Sequence, residues 1–274
     1  MKLEENQFKQ KLNGGACQFG LWLGLPNPIC AEIAATAGFD WLLIDAEHAP
    51  YSLKDIQGQL QALAPYPSSA LLRPPEGSTS NIKQLLDLGC QTLLIPMVES
   101  VLQAKQLINA MYYPPKGVRG LGTSMARAAK WNGIKNYVEQ ANDNVCLILQ
   151  IETQQGLEQL DEILELQDFD GIFIGPSDLS ASLGYIGQPN HPDVVDKIEQ
   201  AISKIKSKGK ACGLLSVDTS MTRHYEKLGV DFIGLGVDAA LLAQSLRSLS
   251  AEFCGHASNN ISSDKDTNNK HAGY

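Results

Sequence analysis

Gly171-Ile172-Phe173-Ile174-Gly175-Pro176-Ser177-Asp178 and, upstream of it, Ile151-Glu152-Thr153 are each a short β-branched or apolar run that leads into a carboxylate. Runs of this kind, bounded by Gly and turn residues, read as strands. Two such strands side by side carry Glu152 and Asp178 to the same end of a sheet.

Working outward from this pair, the same pattern recurs along the chain. Short apolar runs fall at 19–24, 41–45, 70–73, 92–96, 146–151, 171–175, 211–215 and 232–236. Between them lie amphipathic segments at 28–37, 52–63, 78–88, 100–110, 154–166, 192–208, 219–228 and 239–249, several with their own punctuation. Ser52 and Asp218 stand where N-caps belong, and Gly38, Gly89 and Gly229 stand just past helix ends. Strict strand–helix alternation predicts a parallel sheet, and this number of units predicts a single-domain α/β protein, a (β/α)8 TIM barrel over 1–254. A doubly wound open sheet is the alternative. One connection breaks the rhythm: an insertion at 112–144, carrying Gly117-Val118-Arg119-Gly120-Leu121-Gly122 with Arg127 and Lys130, whose length suits a lid or a subunit contact.

Composition narrows the function. The chain has 274 residues, 43% of them hydrophobic, and a net charge of -8. No Lys/Arg block offsets the acidic surface, which argues against nucleic acid or an anionic membrane as partner. Cys17, Cys30, Cys90, Cys146, Cys212 and Cys254 are scattered, with no C-x-x-C pair, as expected of reduced thiols in a cytoplasmic protein. The charged N-terminus has no signal-peptide core, and no apolar run reaches membrane-spanning length. Residues 255–274 are polar and read as a disordered tail.

In a barrel, chemistry collects at the C-terminal ends of the strands. There the sequence places Asp45 and His48 after the second run, Arg73 at the end of the third, Gln150 and Glu152 on the fifth, and Ser177-Asp178 after the sixth. Gln150 and Glu152 are two apart, hence on one face. Two carboxylates at adjacent strand ends, without a thiol or imidazole beside them, suit a hard divalent cation. Alternatively Glu152 is an ordinary acid at a helix start and Asp178 caps its own turn. His48, three residues past Asp45, is either a general base with a carboxylate on its far nitrogen or a structural histidine. Arg73, stiffened by Pro74-Pro75, either grips a carboxylate or oxyanion or pairs with a nearby acid such as Glu76. Asp87 ends a helix, where the dipole disfavours an acid, and this misfit points to a partner such as a cation or a histidine. The Gly117–Gly122 stretch follows no strand and is not a dinucleotide loop, and P-loop and Gly-x-Ser-x-Gly patterns are absent.

Leu43-Ile44-Asp45-Ala46-Glu47-His48-Ala49-Pro50, Leu72-Arg73-Pro74, Ile95-Pro96-Met97-Val98-Glu99, Gly117-Val118-Arg119-Gly120, Gln150-Ile151-Glu152-Thr153 and Gly175-Pro176-Ser177-Asp178-Leu179-Ser180-Ala181-Ser182-Leu183-Gly184 resemble, in order and spacing, the HpcH/HpaI aldolase family. The resemblance runs from about Leu21 to Ala243. It implies a TIM barrel and a metal-dependent class II aldolase, a carbon–carbon lyase. Its reaction would cleave a 4-hydroxy-2-oxo acid, such as 4-hydroxy-2-oxoheptanedioate or 2-dehydro-3-deoxyglucarate, to pyruvate and an aldehyde. It implies Mg²⁺ or Mn²⁺, with Co²⁺ as a third candidate, and a hexamer built as a trimer of dimers. By motif, Glu152 and Asp178 match the metal ligands, His48 the base, Arg73 the transition-state stabiliser, and Asp87 an acid that raises the basicity of the histidine. Gln150, Ser177 and Asp178 match substrate contacts, and Leu215 matches a position that shapes the aldehyde pocket. Rival expectations are a CoA-thioester lyase of the same superfamily, a non-catalytic 2-oxo acid binding protein, and a Schiff-base aldolase, for which no lysine stands at a strand end.

Overall fold

The alternation closes on itself. The computed structural model describes residues 1–12 and 14–254. The elements are, in order, α1 (Gln7–Leu12), β1 (Gln18–Leu23), α2 (Pro28–Ala35), β2 (Trp41–Asp45), α3 (Leu53–Leu63), β3 (Ser69–Arg73), α4 (Thr79–Asp87), β4 (Thr92–Ile95) and α5 (Val101–Met111). After a 3-10 turn at Arg127–Ala129 come α6 (Tyr137–Asn144), β5 (Cys146–Ile151), α7 (Gln154–Leu164), β6 (Gly171–Ile174), α8 (Pro176–Ser182), α9 (Pro192–Ser207), β7 (Ala211–Leu215), α10 (Thr219–Lys227), β8 (Phe232–Val237) and α11 (Asp238–Cys254). The strands form a closed barrel in sequence order, with every pairing parallel, so the open-sheet alternative is set aside. The expected tail at 255–274 lies outside the described residues.

The punctuation works as chemistry requires. Ser52 and Asp55 form a reciprocal capping box at α3, Asp218 caps α10, and Gly38, Gly89 and Gly229 hold positive φ past their helices. Residues facing into the barrel form one cluster, which includes Trp22, Trp41, Leu43, Leu71, Ile148, Phe173 and Phe232. Their bulk is matched by glycine: a Cβ on Gly234 would stand 2.5 Å from the Trp22 ring. From below, α1 inserts Phe8, fully buried, with ring centroids 6.4 Å from Trp41 and 5.3 Å from Phe232. Outward-facing strand residues pack under the helices as a second, larger cluster.

Two features depart from expectation. The insertion joins α5 to β5, so it lies at the N-terminal end of the barrel, and a lid over the chain's own strand C-termini is excluded by topology. It packs a small core of its own from Tyr113, Ala126, Ala129, Ile134, Tyr137 and Ala141. The eighth barrel helix, α11, buries none of its residues, and Leu241, Leu242, Leu246, Leu249 and Phe253 are exposed along it. Leu235 of β8 is 37% exposed on the flank that such a helix ordinarily covers.

Candidate active site

Parallel register brings the polar strand ends together. Asp45 is the direct cross-strand partner of Arg73, and the two side chains meet fork to fork: Arg73 Nε donates to Asp45 Oδ1 at 2.9 Å and Nη2 donates to Oδ2 at 2.7 Å. Arg73 Nη1 lies 2.9 Å from Glu47 Oε2. The guanidinium is 1% exposed and lies over Trp22, 5.9 Å from its ring centroid. A buried arginine needs such bracing, because its charge cannot be removed at any accessible pH. Asp45 and Glu47 are thus acids that brace it, where the sequence offered Glu76 as an example.

Asp45 Oδ1 also accepts from the backbone N–H of Glu47 at 3.1 Å, folding the chain past β2 into a tight turn. That turn presents His48, with a side chain 59% exposed and Nε2 at 3.8 Å from Glu47 Oε2. Burial pushes the Glu47 carboxyl up, opposed by Arg73 and reinforced by Asp45 and Asp178.

On the opposite wall, Gln150 and Glu152 share one face, both buried. Gln150 Nε2 donates to Glu152 Oε2, and the backbone N–H of Met97 donates to Glu152 Oε1 at 2.9 Å. Gly175, at the end of β6, leaves room for this carboxylate: a Cβ there would stand 2.6 Å from Glu152 Oε2. Burial raises the Glu152 carboxyl to about 7, with Asp178 and Glu47 adding to the rise and the Met97 and Gln150 hydrogen bonds opposing it. Ile151 and Ile174 are register partners of β5 and β6, so Glu152 and the turn leading to Asp178 leave neighbouring strands at the same level. Asp178 and Ser177 sit in the first turn of α8, half-buried. Leu215 ends β7 within the barrel's inner cluster.

The structure therefore gathers Asp45, His48, Arg73, Gln150, Glu152, Ser177, Asp178 and Leu215 at the C-terminal end of the barrel. Asp87 is elsewhere. It ends α4, just before β4 begins, at the opposite end, where its Oδ1 accepts from Arg119 Nη2 at 2.9 Å. The misfit of an acid at a helix C-terminus is thus answered by a buried cation, and within one chain Asp87 does not reach His48.

Sequence reasoning left three contributors without a role. Glu47 had a legible signal, since Asp45-Ala46-Glu47-His48 places a second acid beside the histidine. Gly175 had a partial one, as the small residue before Pro176. Met97 acts through its backbone and had none.

Oxygen donors dominate the site. Gln150 Oε1 is buried without a hydrogen bond, beside a buried carboxylate whose charge is costly, and such a set fits a hard cation that keeps several waters. Among the described residues no group of three or more His, Cys, Asp or Glu is arranged to hold an ion. That is compatible with Mg²⁺-type sites, which use one or two carboxylates together with water and substrate.

Known proteins share this arrangement of chain. A family model for HpcH/HpaI aldolase/citrate lyase matches residues 18–245. A hydroxypyruvate/pyruvate aldolase of Pseudomonas aeruginosa is 53% identical over 257 residues, covering 94% of this chain and 96% of the relative. A 4-hydroxy-2-oxo-heptane-1,7-dioate aldolase of Escherichia coli (strain ATCC 8739) is 49% identical over 253 residues, covering 92% and 97%. The crystal structure of an HpcH/HpaI aldolase/citrate lyase family protein from Burkholderia cenocepacia J2315 superposes with a TM-score of 0.86 at 35% identity, covering 90% of this chain and 98% of that one. With the closed barrel and its ring of polar strand ends, the match along nearly the whole barrel establishes that the chain belongs to the HpcH/HpaI aldolase/citrate lyase family.

Proposed function

We propose that the chain is a metal-dependent class II pyruvate aldolase, cleaving a 4-hydroxy-2-oxo acid reversibly to pyruvate and an aldehyde. Family membership makes it a carbon–carbon lyase. The observation that carries the finer reading is the buried Glu152 just past β5, with Asp178 in the first turn of α8 after the neighbouring β6, set across from a braced arginine and a more exposed histidine. Relatives named hydroxypyruvate/pyruvate aldolase and 4-hydroxy-2-oxo-heptane-1,7-dioate aldolase support it.

Glu152 and Asp178 are the residues to hold the cation, Mg²⁺ or Mn²⁺ with Co²⁺ as a third candidate. Bound there, a divalent ion would supply Lewis-acid polarisation of the substrate's 2-oxo group. Gln150 and Ser177 orient the 2-oxo acid, and the N-terminus of α8, which has no side-chain cap, faces its carboxylate. His48 takes the proton of the 4-hydroxyl. The C4–O electrons form the aldehyde carbonyl, the C3–C4 bond breaks, and its electron pair passes through C2 to the 2-oxo oxygen. Arg73, already fixed in place, stabilises that developing charge without reorganising. A proton returned to C3 gives pyruvate. Leu215 borders the aldehyde side.

The test is deuterium exchange into the pyruvate methyl group, followed by NMR with Mg²⁺ or Mn²⁺ and then with excess EDTA. Exchange that needs the metal and is lost in His48→Ala supports the reading. Exchange indifferent to EDTA but trapped by borohydride favours a Schiff base, and binding without exchange favours a 2-oxo acid binding protein.

The working form is an assembly of copies in the cytoplasm, a hexamer by family resemblance. Among the described residues no helix is long and apolar enough to cross a membrane. The unpartnered apolar stripe of α11 and the uncovered groove of Phe19, Val217 and Leu235 on the same flank are complementary surfaces, and reciprocal exchange of α11 between copies satisfies both. Any influence of Asp87 on His48 requires that a second copy bring the lower end of its barrel to the site. Light scattering on Leu242→Glu/Leu246→Glu tests the assembly, with dissociation as the expected outcome.

A further inference from the structure

We infer that Glu47 is a positioning residue of this site, holding Arg73 and His48 in register with one carboxylate. The inference rests on the reading of Arg73 as stabiliser and His48 as base. Three observations carry it. Glu47 Oε2 lies 2.9 Å from Arg73 Nη1 and 3.8 Å from His48 Nε2, hydrogen-bonded to neither, so a single buried carboxylate oxygen stands between the two groups through charge and proximity. Asp45, the acid nearest in sequence that could have served, spends both carboxylate oxygens on the other edge of the same guanidinium, and Oδ1 also accepts from the Glu47 backbone. Glu47 is also only 16% exposed at its side chain, although it lies in a turn beside the far more exposed His48.

The consequence is geometric. Asp45 fixes the Nε–Nη2 edge of Arg73 through two hydrogen bonds. Glu47 adds an ion pair at Nη1, close but without hydrogen-bond alignment, so two carboxylates from the same turn face the guanidinium. Because Glu47 immediately precedes His48, movement of the arginine and of the imidazole are tied through one residue. Loss of Glu47 leaves the charge of Arg73 paired by Asp45 and the ring of His48 intact. What it removes is their fixed separation. Misplacement of about 1 Å in such a pair costs on the order of 100-fold in rate.

Glu47→Gln and Glu47→Ala in the full-length protein test this with three readouts. Crystal structures of wild type and both variants under one condition show whether the guanidinium plane and the His48 ring move; unchanged positions in Glu47→Ala overturn the inference, whatever the activity. Mn²⁺ affinity, read by electron paramagnetic resonance, is expected to fall far less than in Glu152→Ala, because Glu47 lends charge near the cation without ligating it. A loss as large as that of Glu152→Ala would make Glu47 part of the cation site and overturn the positioning role. Pyruvate methyl exchange is expected to fall about 100-fold in kcat with KM nearly unchanged, the signature of an interaction that matters in the transition state. Wild-type kcat in both variants also overturns it. Absence of exchange in the wild type itself counts against the aldolase reading, and the crystallographic comparison then still decides whether Glu47 braces the pair.

Discussion

The backbone N–H of Met97 holds Glu152 Oε1 at 2.9 Å, and Met97 does so at φ 55°, in the left-handed region. A side chain there costs roughly 1–2 kcal/mol, so the loop after β4 is strained at the point where it fixes a candidate metal ligand. Met97→Gly keeps the N–H and relieves the strain, and its greater freedom when unfolded offsets part of the gain. Urea unfolding is therefore expected to place it within about 1 kcal/mol of wild type. Met97→Val, with a β-branched side chain at positive φ, is expected to be less stable than Met97→Gly by about 2 kcal/mol or more.

Gly175 serves Glu152 through space and not through backbone freedom, since its φ is -93°. The Cβ of Gly175→Ala would stand 2.6 Å from Glu152 Oε2 and 2.8 Å from Glu152 Cβ. The carboxylate must shift, and overpacking of this kind costs about 1–3 kcal/mol. Calorimetric titration should show Mn²⁺ affinity falling at least about tenfold, an estimate equivalent to about 1.4 kcal/mol. Undiminished affinity would mean that Glu152 is not a ligand.

The raised carboxyl of Glu152 makes a signed prediction for the metal-free protein. Its folded pKa of about 7 stands above the ordinary value of 4.5. The stability linked to this group is then fully present below about pH 4.5 and is lost as pH rises towards and through 7, by on the order of 3 kcal/mol. Glu152→Gln carries no charge to desolvate and escapes this loss. With EDTA present, the melting temperature of Glu152→Gln relative to wild type is expected to climb between pH 5 and pH 8. A difference that stays flat would contradict the burial of an ionising Glu152.

Arg73 links stability and chemistry. Arg73→Met leaves Asp45 and Glu47 close together without their shared cation, a change expected to cost about 3–5 kcal/mol in denaturant unfolding. Arg73→Lys retains a charge but cannot reproduce the fork with Asp45. It is expected to fold and to lose most of the pyruvate exchange rate; near wild-type exchange would show that charge alone suffices.

The barrel was legible because alternation is a local pattern: strands at 41–45, 146–151 and 211–215 were bounded to the residue by their apolar runs, and Ser52 and Asp218 cap as their side-chain chemistry demands. The helices that no local pattern marks are α1 and α6, each eight residues or fewer, too short for a helical period to stand out. At the site, polar residues on strand ends were legible because topology sends them all to one end. Partners set by register were not: Arg73 meets Asp45 because β2 and β3 align at that level, a relation between segments that no local reading contains. Asp87 shows the converse, since its motif pointed to the histidine while its place at the end of α4 sends it to Arg119.

The family match begins at residue 18, and the motifs begin later still, but the folding unit does not. Phe8 of α1 is the stopper in the barrel's lower mouth, sealing Trp41 and Phe232 from water. Asn6 and Lys9 tie that stopper to the rim through Thr92, Asn144 and Val145. A chain trimmed to residues 18–245 would keep every catalytic candidate and lose the floor beneath them. Water admitted there would wet the aromatic column from the end opposite the chemistry. The bounds of the family model and the physical boundary of the folding unit are thus drawn at different residues.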